Sequence, residues 1–251
     1  MRQTSEDVSP VGGRLATSMP LSVGMVLFDG VTQLDLTGPY EVLARMPNTR
    51  VHLVAASRDP VRSEWGLMIV PDTTFDDAPL LDVLCVPGGW SVNACLMNEP
   101  LLDFVRVRGE QARYVTSVCS GALLLGAAGL LRGYRATTHW LSLDLLPLLG
   151  ADAVEGRVVR DRNRITGAGV TAGIDFALVL AAELFGESVA RTIQLAIEYD
   201  PEPPFSAGSP HLAPPEILAS VAHASLPALV ERRALIERVA ERLRPLPSLP
   251  A

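Results

Sequence analysis

The sequence predicts an α/β protein of the doubly wound class, in which helices cover both faces of a mostly parallel central sheet. Short runs of apolar, strand-forming residues alternate with helical patterns from about Val23 to Glu198. The chain has 251 residues, of which 48% are hydrophobic and 20% charged, which is a globular composition. A single domain of this length can bury a sizeable apolar core.

The first half of the chain supplies three predicted core strands. They are separated by one helix and by an antiparallel pairing or hairpin. In chain order these are strand 23–28 (VGMVLF), helix 38–46, strand 51–57 (VHLVAAS), the hairpin segment 65–71 (WGLMIVP) and strand 82–90 (DVLCVPGGW), which stops at Pro87-Gly88-Gly89.

The second half repeats the alternation. The predicted elements are helix 100–112, strand 114–118 (YVTSV), helix 120–131, a short strand 136–140 (ATTHW), helix 141–150, a strand pair in 158–169 and helix 172–186.

Three regions follow from these patterns. Residues 1–20 are predicted to be a loose extension, because they contain no apolar stretch long enough for a signal peptide. Residues 21–200 form the α/β domain. Residues 201–251 begin with a loop rich in Pro, Gly and Ser and continue into a helical pattern at 215–243, which Pro227 is expected to divide into two pieces. Its apolar face would cover the same domain or a second subunit.

Composition excludes several classes of function. The net charge of −7 and the lack of a basic cluster argue against nucleic acid as a partner. No apolar run approaches the roughly 20 residues that a membrane span requires. The three cysteines form no Cys-x-x-Cys pair, which favours a reducing compartment and the cytoplasm. The four histidines have no metal-ligand spacing, and no phosphate loop is present, so no metal or cofactor is expected.

Cys119 is the strongest candidate for chemistry. It lies where strand 114–118 becomes a helix, with Ser117 two residues before it and Gly121 two residues after it. Small residues at these positions are typical of a nucleophile elbow, where bulk would collide with the neighbouring strand. The first turn of the following helix would favour the thiolate over the thiol. The alternative is a buried structural cysteine, which is what we expect of Cys85 and Cys95.

Two further features end predicted core strands. Gly88 and Gly89 could present backbone N–H groups to an anionic centre beside Cys119, although such a glycine pair is also typical of an ordinary turn. Asp35 lies between Leu34 and Leu36, just before a helix expected to begin near Gly38. Partial burial would raise its pKa and suit it to acid–base chemistry, whereas a helix N-cap or a solvated loop residue is the alternative.

His139 is the one histidine in the predicted sheet near the cysteine strand. It is therefore the candidate base of a Cys-His pair, although a lone histidine is more often structural.

Four segments together resemble the DJ-1/PfpI superfamily, and within it the enzymes that hydrate isocyanides. They are VTQLDLTGPYEVL, VPGG, VCSGALLLGAAGLLRGYRATTHW and ITGAGVTAGIDFALVLAAELFG, and the resemblance covers about residues 21–220. It implies a flavodoxin-like sandwich, a homodimer, and addition of water to a small-molecule isocyanide to give an N-substituted formamide.

The resemblance also assigns residues. It implies that Cys119 is the nucleophile, Asp35 its acidic partner, Ser120 a neighbouring hydrogen-bonding residue, and Gly88 and Gly89 the backbone frame. Many superfamily members have glutamate where Asp35 falls, which makes protease or deglycase activity less expected here.

Two other functions remain open from the residues. The domain could sense a ligand or oxidant through Cys119 without turnover, or it could be a glyoxalase or hydrolase acting on carbonyls. Similar domains also begin transcription regulators with a paired helix-turn-helix module. The roughly 50 residues after Glu198 are too few and too weakly basic for that module.

Overall fold

Residues 19–243 are described by the structure, a computed structural model. The predicted extension 1–20 therefore lies outside the described residues, except for Met19 and Pro20. The strands are β1 (Leu21–Val26), β2 (Thr49–Ala55), β3 (Val61–Arg62), β4 (Met68–Ile69), β5 (Thr73–Thr74), β6 (Val83–Val86), β7 (Tyr114–Val118), β8 (Arg135–Ala136), β9 (Asp152–Ala153), β10 (Val158–Asp161) and β11 (Arg164–Gly167). The α-helices are α1 (Gln33–Leu43), α2 (Val92–Cys95), α3 (Glu99–Gln111), α4 (Gly121–Ala127), α5 (Ala172–Phe185), α6 (Glu187–Ala196) and α7 (Pro215–Leu243), and Trp140–Leu149 is a 3-10 helix.

The predicted α/β class with a mostly parallel sheet is confirmed. Seven strands lie in the order β10-β11-β7-β6-β1-β2-β5, and every neighbouring pair is parallel except β10 and β11. Strands β6 and β7 are buried along their whole length or nearly so, as expected for the centre of a sheet covered on both faces. The carboxyl ends of β1, β6 and β7 consequently meet at one edge of the sheet, where ligands bind in open α/β sheets.

The helices form two groups that flank the sheet as a flavodoxin-like sandwich. One group is α1, α5 and α6, and the other is α2, α3, α4, the 3-10 helix and α7. Helix α7 packs on the 3-10 helix, α2 and α4 of its own chain. Of the two predicted positions for the tail, the structure therefore places it on the same domain.

Helix α1 begins five residues earlier than predicted, at Gln33 instead of Gly38. The Gly38-Pro39 pair is a contact point between helices: a Cβ on Gly38 would lie 3.3 Å from Ile174 Cγ1, and a Cβ on Gly173 would lie 2.9 Å from Pro39 Cδ. Proline removes one intrahelical hydrogen bond, and the close packing of α1 on α5 compensates for that loss.

The predicted strand at 136–140 is wrong beyond Ala136. Hydrogen bonds that involve side chains replace the backbone hydrogen bonds of a β-sheet there. Thr137 N–H donates to Thr166 Oγ1, and Thr138 Oγ1 donates to the Cys119 carbonyl oxygen. His139 is therefore not a sheet residue; it caps the 3-10 helix that replaces the predicted α-helix.

Pro227 does not divide the tail helix. Helix α7 runs through it as one element, with Pro227 on a turn between the exposed Leu226 and the partly buried Ala228. The missing proline N–H removes one backbone hydrogen bond from a helix of 29 residues, whose buried face still packs on the domain.

Gly121 is required by the close approach of the elbow to the end of β6. A Cβ on Gly121 would lie 2.1 Å from the Val86 carbonyl oxygen and 2.7 Å from that of Pro87. Because both neighbours are backbone atoms, we expect Gly121→Ala to lower the free energy of unfolding by about 3 kcal/mol, at the upper end of overpacking effects. Urea denaturation followed by circular dichroism measures this.

Gly169→Ala is the matched control, since nothing lies within 4 Å of a Cβ at that position. It should unfold at nearly the parent urea concentration. Equal midpoints for the two variants would contradict the close approach at Gly121.

Candidate active site

Cys119 lies at the turn between β7 and α4, as the elbow pattern predicts. Its φ of 55° is in the left-handed region that residues other than glycine seldom adopt. Hydrogen bonds hold this backbone: Cys119 N–H donates to the Gly167 carbonyl oxygen at 3.1 Å, and the Cys119 carbonyl oxygen accepts from Thr138 Oγ1 at 2.7 Å. The strained conformation therefore persists because β11 and the segment after β8 fix it on both sides.

Asp35 lies in the first turn of α1 and is fully buried. Its Oδ2 accepts a hydrogen bond of 2.9 Å from Gly88 N–H. Its Oδ1 has no hydrogen-bond partner within residues 19–243, and the Cys119 side chain is near enough to affect the pKa of the carboxyl group. Thr32 is the N-cap of α1, so Asp35 is neither the helix cap nor the solvated loop residue considered above.

Burial sets the protonation of Asp35. It raises the pKa of the carboxyl group to about 7, while hydrogen bonds from Gly88 and Cys119 oppose the shift and the nearby charge of Glu64 adds to it. The group can therefore hold a proton near neutral pH, as the sequence suggested from its apolar neighbours.

Cys119 is more strongly affected by burial than the sequence suggested. Burial raises the pKa of its thiol, the Asp35 charge raises it further, and the Ser120 backbone N–H and hydroxyl lower it. The Ser120 N–H at the start of α4 lowers this pKa, as expected of a helix N-terminus, but burial outweighs it, so the thiol is favoured over the thiolate. Protonation of Asp35 removes the repulsion between the two negative charges.

Gly88 and Gly89 both lie against the elbow, but their amides already have partners. Gly88 N–H donates to Asp35, and Gly89 N–H donates to Ser120 Oγ at 3.1 Å. This differs from the expected pair of unoccupied oxyanion donors. A Cβ on Gly88 would lie 2.6 Å from Ser120 N and 3.0 Å from Asp35 Oδ2. Only glycine lets this strand end approach both groups.

His139 lies beside the cysteine without an observed contact to its sulfur. Its backbone N–H donates weakly to the Cys119 carbonyl oxygen, and its Nδ1 accepts from Leu141 N–H at 3.3 Å. Burial lowers the pKa of the ring, and the neighbouring Arg232 lowers it further. The imidazole is therefore neutral near pH 7.

Cys119, Ser120, Gly89 and His139 border one cavity of about 130 Å³, whereas Asp35 and Gly88 are not among the residues that line it. It is lined by Thr32, Glu64, Gly89, Trp90, Cys119, Ser120, His139, Leu141, Val170, Ser225, Leu229 and Arg232. Ser225, Leu229 and Arg232 of α7 form a wall of the cavity that was not predicted from the sequence. Their spacing of four and three residues places them on one helical face, and an arginine on a partly apolar face was the available signal.

Neither a metal site nor a membrane span is found in the described part of the chain. Among residues 19–243, no three His, Cys, Asp or Glu side chains are grouped so as to hold a metal ion. No helix in the same range combines the length and hydrophobicity needed to cross a bilayer.

Comparison with known proteins identifies close relatives. The DJ-1/PfpI family matches residues 21–183. The isonitrile hydratase of Pseudomonas putida is 55% identical over 225 residues, which cover 90% of this chain and 99% of that enzyme. The HTH-type transcriptional regulator GbdR of Pseudomonas aeruginosa is 32% identical, over 72% of this chain but 51% of the regulator.

The most informative solved structure is a THiJ/PfpI family protein from Pseudomonas syringae. It superposes with a TM-score of 0.85 at 43% identity and covers 93% of this chain and 97% of its own. The likeness therefore extends beyond the sheet to the region of α7.

Proposed function

This chain belongs to the DJ-1/PfpI family, and we propose that it is an isocyanide hydratase, which adds water to an isocyanide to give an N-substituted formamide. The observation that carries the proposal is the pairing of Cys119, which lines the cavity, with the buried Asp35, each of which shifts the pKa of the other, in a chain 55% identical to an isonitrile hydratase over 99% of that enzyme. The transcription regulator is matched over only half of its length, which favours the enzyme.

The first step forms a thioimidate. The terminal carbon of an isocyanide is electrophilic and mildly basic, so it can accept both the Cys119 sulfur and a proton. The thiolate forms the S–C bond while the Asp35 carboxyl group transfers its proton to the same carbon. The product is R–N=CH–S–Cys119, and the negative charge has moved from the sulfur to Asp35.

Water completes the reaction. The Asp35 carboxylate accepts a proton from water as the water oxygen attacks the thioimidate carbon, and that proton is then delivered to the nitrogen. The carboxylate takes the remaining hydroxyl proton as the carbonyl forms and the Cys119 thiolate leaves. The formamide is released, and the acid and thiolate are both restored.

The other site residues have positioning roles in this scheme. Gly88 N–H orients the Asp35 carboxyl group, and Ser120, which also contacts Gly89, lowers the pKa of the Cys119 thiol. His139 is neutral and borders the cavity, so it contributes to the substrate wall.

Cys119→Ala should keep the fold and lose formamide production, because the truncated residue removes the nucleophile and little buried volume. Purified protein incubated with a simple alkyl isocyanide, with the formamide followed by mass spectrometry, tests this. Cys85→Ala and Cys95→Ala are the matched controls. Burial raises the pKa of both thiols to about 12, and neither lines the cavity, so turnover should persist in both.

If the parent protein formed no formamide, the hydratase proposal would fail. Stable oxidation of Cys119 that altered a partner interaction would then favour the sensor, and turnover of a carbonyl compound would favour the glyoxalase or hydrolase.

Asp35→Asn should lower turnover by about 10²- to 10⁴-fold, the usual effect of losing a general acid or base. Asp35→Glu keeps the proton but moves it by one methylene, so partial activity is expected. A small electrophile should still alkylate Cys119 in both variants. Steady-state kinetics with the same isocyanide measures the loss.

Asp29→Asn is the control for the loss of a nearby carboxylate, since Asp29 lies in the turn after β1 and outside the cavity. It should turn over at the parent rate. Parent activity in Asp35→Asn would refute the acid–base assignment and direct attention to His139.

We also propose a homodimer. Since α7 covers its own domain, the support now comes from the exposed apolar residues around the β3–β4 hairpin, Trp65, Leu67, Met68 and Val70, of which Trp65 is 85% exposed. Light scattering at micromolar concentration should give twice the chain mass, and Trp65→Arg with Met68→Arg should shift it towards the monomer. A monomer mass for the parent would contradict the proposal.

A cytoplasmic location remains a prediction from the three free cysteines. Cell fractionation tests it, and recovery from an oxidising compartment would overturn it.

A further inference from the structure

Arg232 is the one basic side chain of α7 that enters the cavity wall. It is 5% exposed, whereas the adjacent Arg233 is exposed and forms an ion pair with Asp144. Two neutral groups hold the Arg232 guanidinium: Nε donates to Asn93 Oδ1 at 2.8 Å, and Nη1 donates to Ser142 Oγ at 2.9 Å. These contacts fix its position between α2, the 3-10 helix and the cavity.

The positive charge of Arg232 has no direct acidic partner. Arg232 takes part in no salt bridge within the described residues 19–243. The nearest compensation on its own helix is indirect, because Asn93 Nδ2 donates to Glu231 Oε2 at 2.9 Å while Asn93 Oδ1 accepts from Arg232. A buried arginine remains protonated at any physiological pH, so an almost enclosed cation borders the cavity.

The reacting groups carry the opposite charge. In the proposed hydratase mechanism, Cys119 and Asp35 together hold one negative charge: on the sulfur before attack, on the carboxylate in the thioimidate, and on the sulfur again after release. When both groups are protonated, the summed charge of the pair is zero instead of −1. Arg232 and Cys119 line the same cavity, so this fixed positive charge favours the total of −1 most directly when the sulfur carries the charge.

We propose that Arg232 is a positioning residue of this site: its guanidinium, held by Asn93 and Ser142, is the buried positive charge that balances the single negative charge of Cys119 and Asp35. The role of Arg232 in turnover rests on the proposed function. Its effect on the reactivity of Cys119 does not. The Arg232 pKa is consistent with this placement, since burial lowers it and the charges of Cys119 and Glu231 oppose that shift.

The other ionisable groups near the pair do not replace Arg232. Glu64 is negative and raises the pKa of Asp35, and Glu231 lies on the far side of Asn93. His139 is neutral because its pKa is lowered, and Cys85 lies in the core with a pKa raised to about 12. Among the described residues that line the cavity, Arg232 therefore supplies the only permanent positive charge.

The test is the pH dependence of Cys119 alkylation by iodoacetamide, an uncharged reagent, with the modified peptide quantified by mass spectrometry. A nearby cation lowers the pH at which the pair gives up its first proton, so removing it raises that pH. In Arg232→Met, the acid limb of the pH–rate profile for alkylation should shift to higher pH by about one unit. The alkylation rate at pH 6 should therefore fall about tenfold. In Arg232→Lys, which keeps the charge, the limb should stay close to that of the parent.

Arg233→Met is the matched control, because it removes the same charge from the next position of the same helix but outside the cavity. Its profile should superpose on that of the parent. The proposal is overturned if Arg232→Met also superposes, or if it lowers the rate equally at every pH, which is what a purely structural role would produce.

A second variant covers the case in which Arg232→Met does not fold. Asn93→Asp places a carboxylate on Arg232 Nε without deleting the arginine, and it should move the acid limb in the same direction. An unshifted limb in a folded Asn93→Asp variant would contradict the proposal.

The same variants separate the two proposals. With an alkyl isocyanide, the acid limb of kcat/KM should shift as the alkylation limb does. A shifted alkylation limb in a protein that forms no formamide would keep the role of Arg232 and reject the hydratase. Formamide production with no shift in either limb would keep the hydratase and reject the role of Arg232.

Discussion

The active site depends on one close approach between two pieces of backbone, the end of β6 and the turn after β7. Gly88 and Gly121 allow it, because a Cβ on either residue would lie within 2.6 Å of a backbone atom of the other segment. From the same strand end, Gly88 N–H donates to Asp35 of α1 and Gly89 N–H donates to Ser120. The end of β6 therefore connects Asp35 with the turn that holds Cys119.

Burial then determines the chemistry of those groups. A carboxyl group and a thiol removed from water both resist ionisation, and two negative charges at this separation would repel each other. Burial therefore favours the pair with both protons, and repulsion between the two charges limits a pair that has lost one proton to a single negative charge. In the mechanism proposed above, this singly ionised pair supplies the acid and the nucleophile that addition of both a sulfur and a proton to one carbon requires.

The sequence predicted the framework and the turn that holds Cys119, because both are encoded locally. The strand at 114–118 and the small residues around Cys119 agree with the structure residue for residue. Prediction from the sequence failed where tertiary contacts override local sequence patterns. Helix α1 passes through Pro39 because Gly38 and Pro39 pack against α5, and α7 passes through Pro227 because its buried face is held by the domain.

The cavity wall contributed by α7 could not be predicted from local sequence patterns, because it also depends on tertiary contacts. Arg232 is separated by more than a hundred residues from Asp35 and Cys119. A helical pattern shows which residues share a face, but it does not show which surface that face covers. The occupied amides of Gly88 and Gly89 were missed because a glycine pair indicates freedom to approach, not the group that is approached.

In the proposed hydratase, the early start of α1 would let an aspartate act where related proteins often have the longer glutamate. With the helix beginning at Gln33, the Asp35 backbone is in its first turn, after the segment 27–32 that follows β1, and beside the β6 end. Thr32 N–H donates to the Gly88 carbonyl oxygen at 3.1 Å, and Gly88 N–H donates to Asp35, so the two segments hold each other in place. The backbone supplies the reach that a longer side chain would otherwise provide. A side chain with fewer rotatable bonds also loses less conformational entropy when its proton is held at one position.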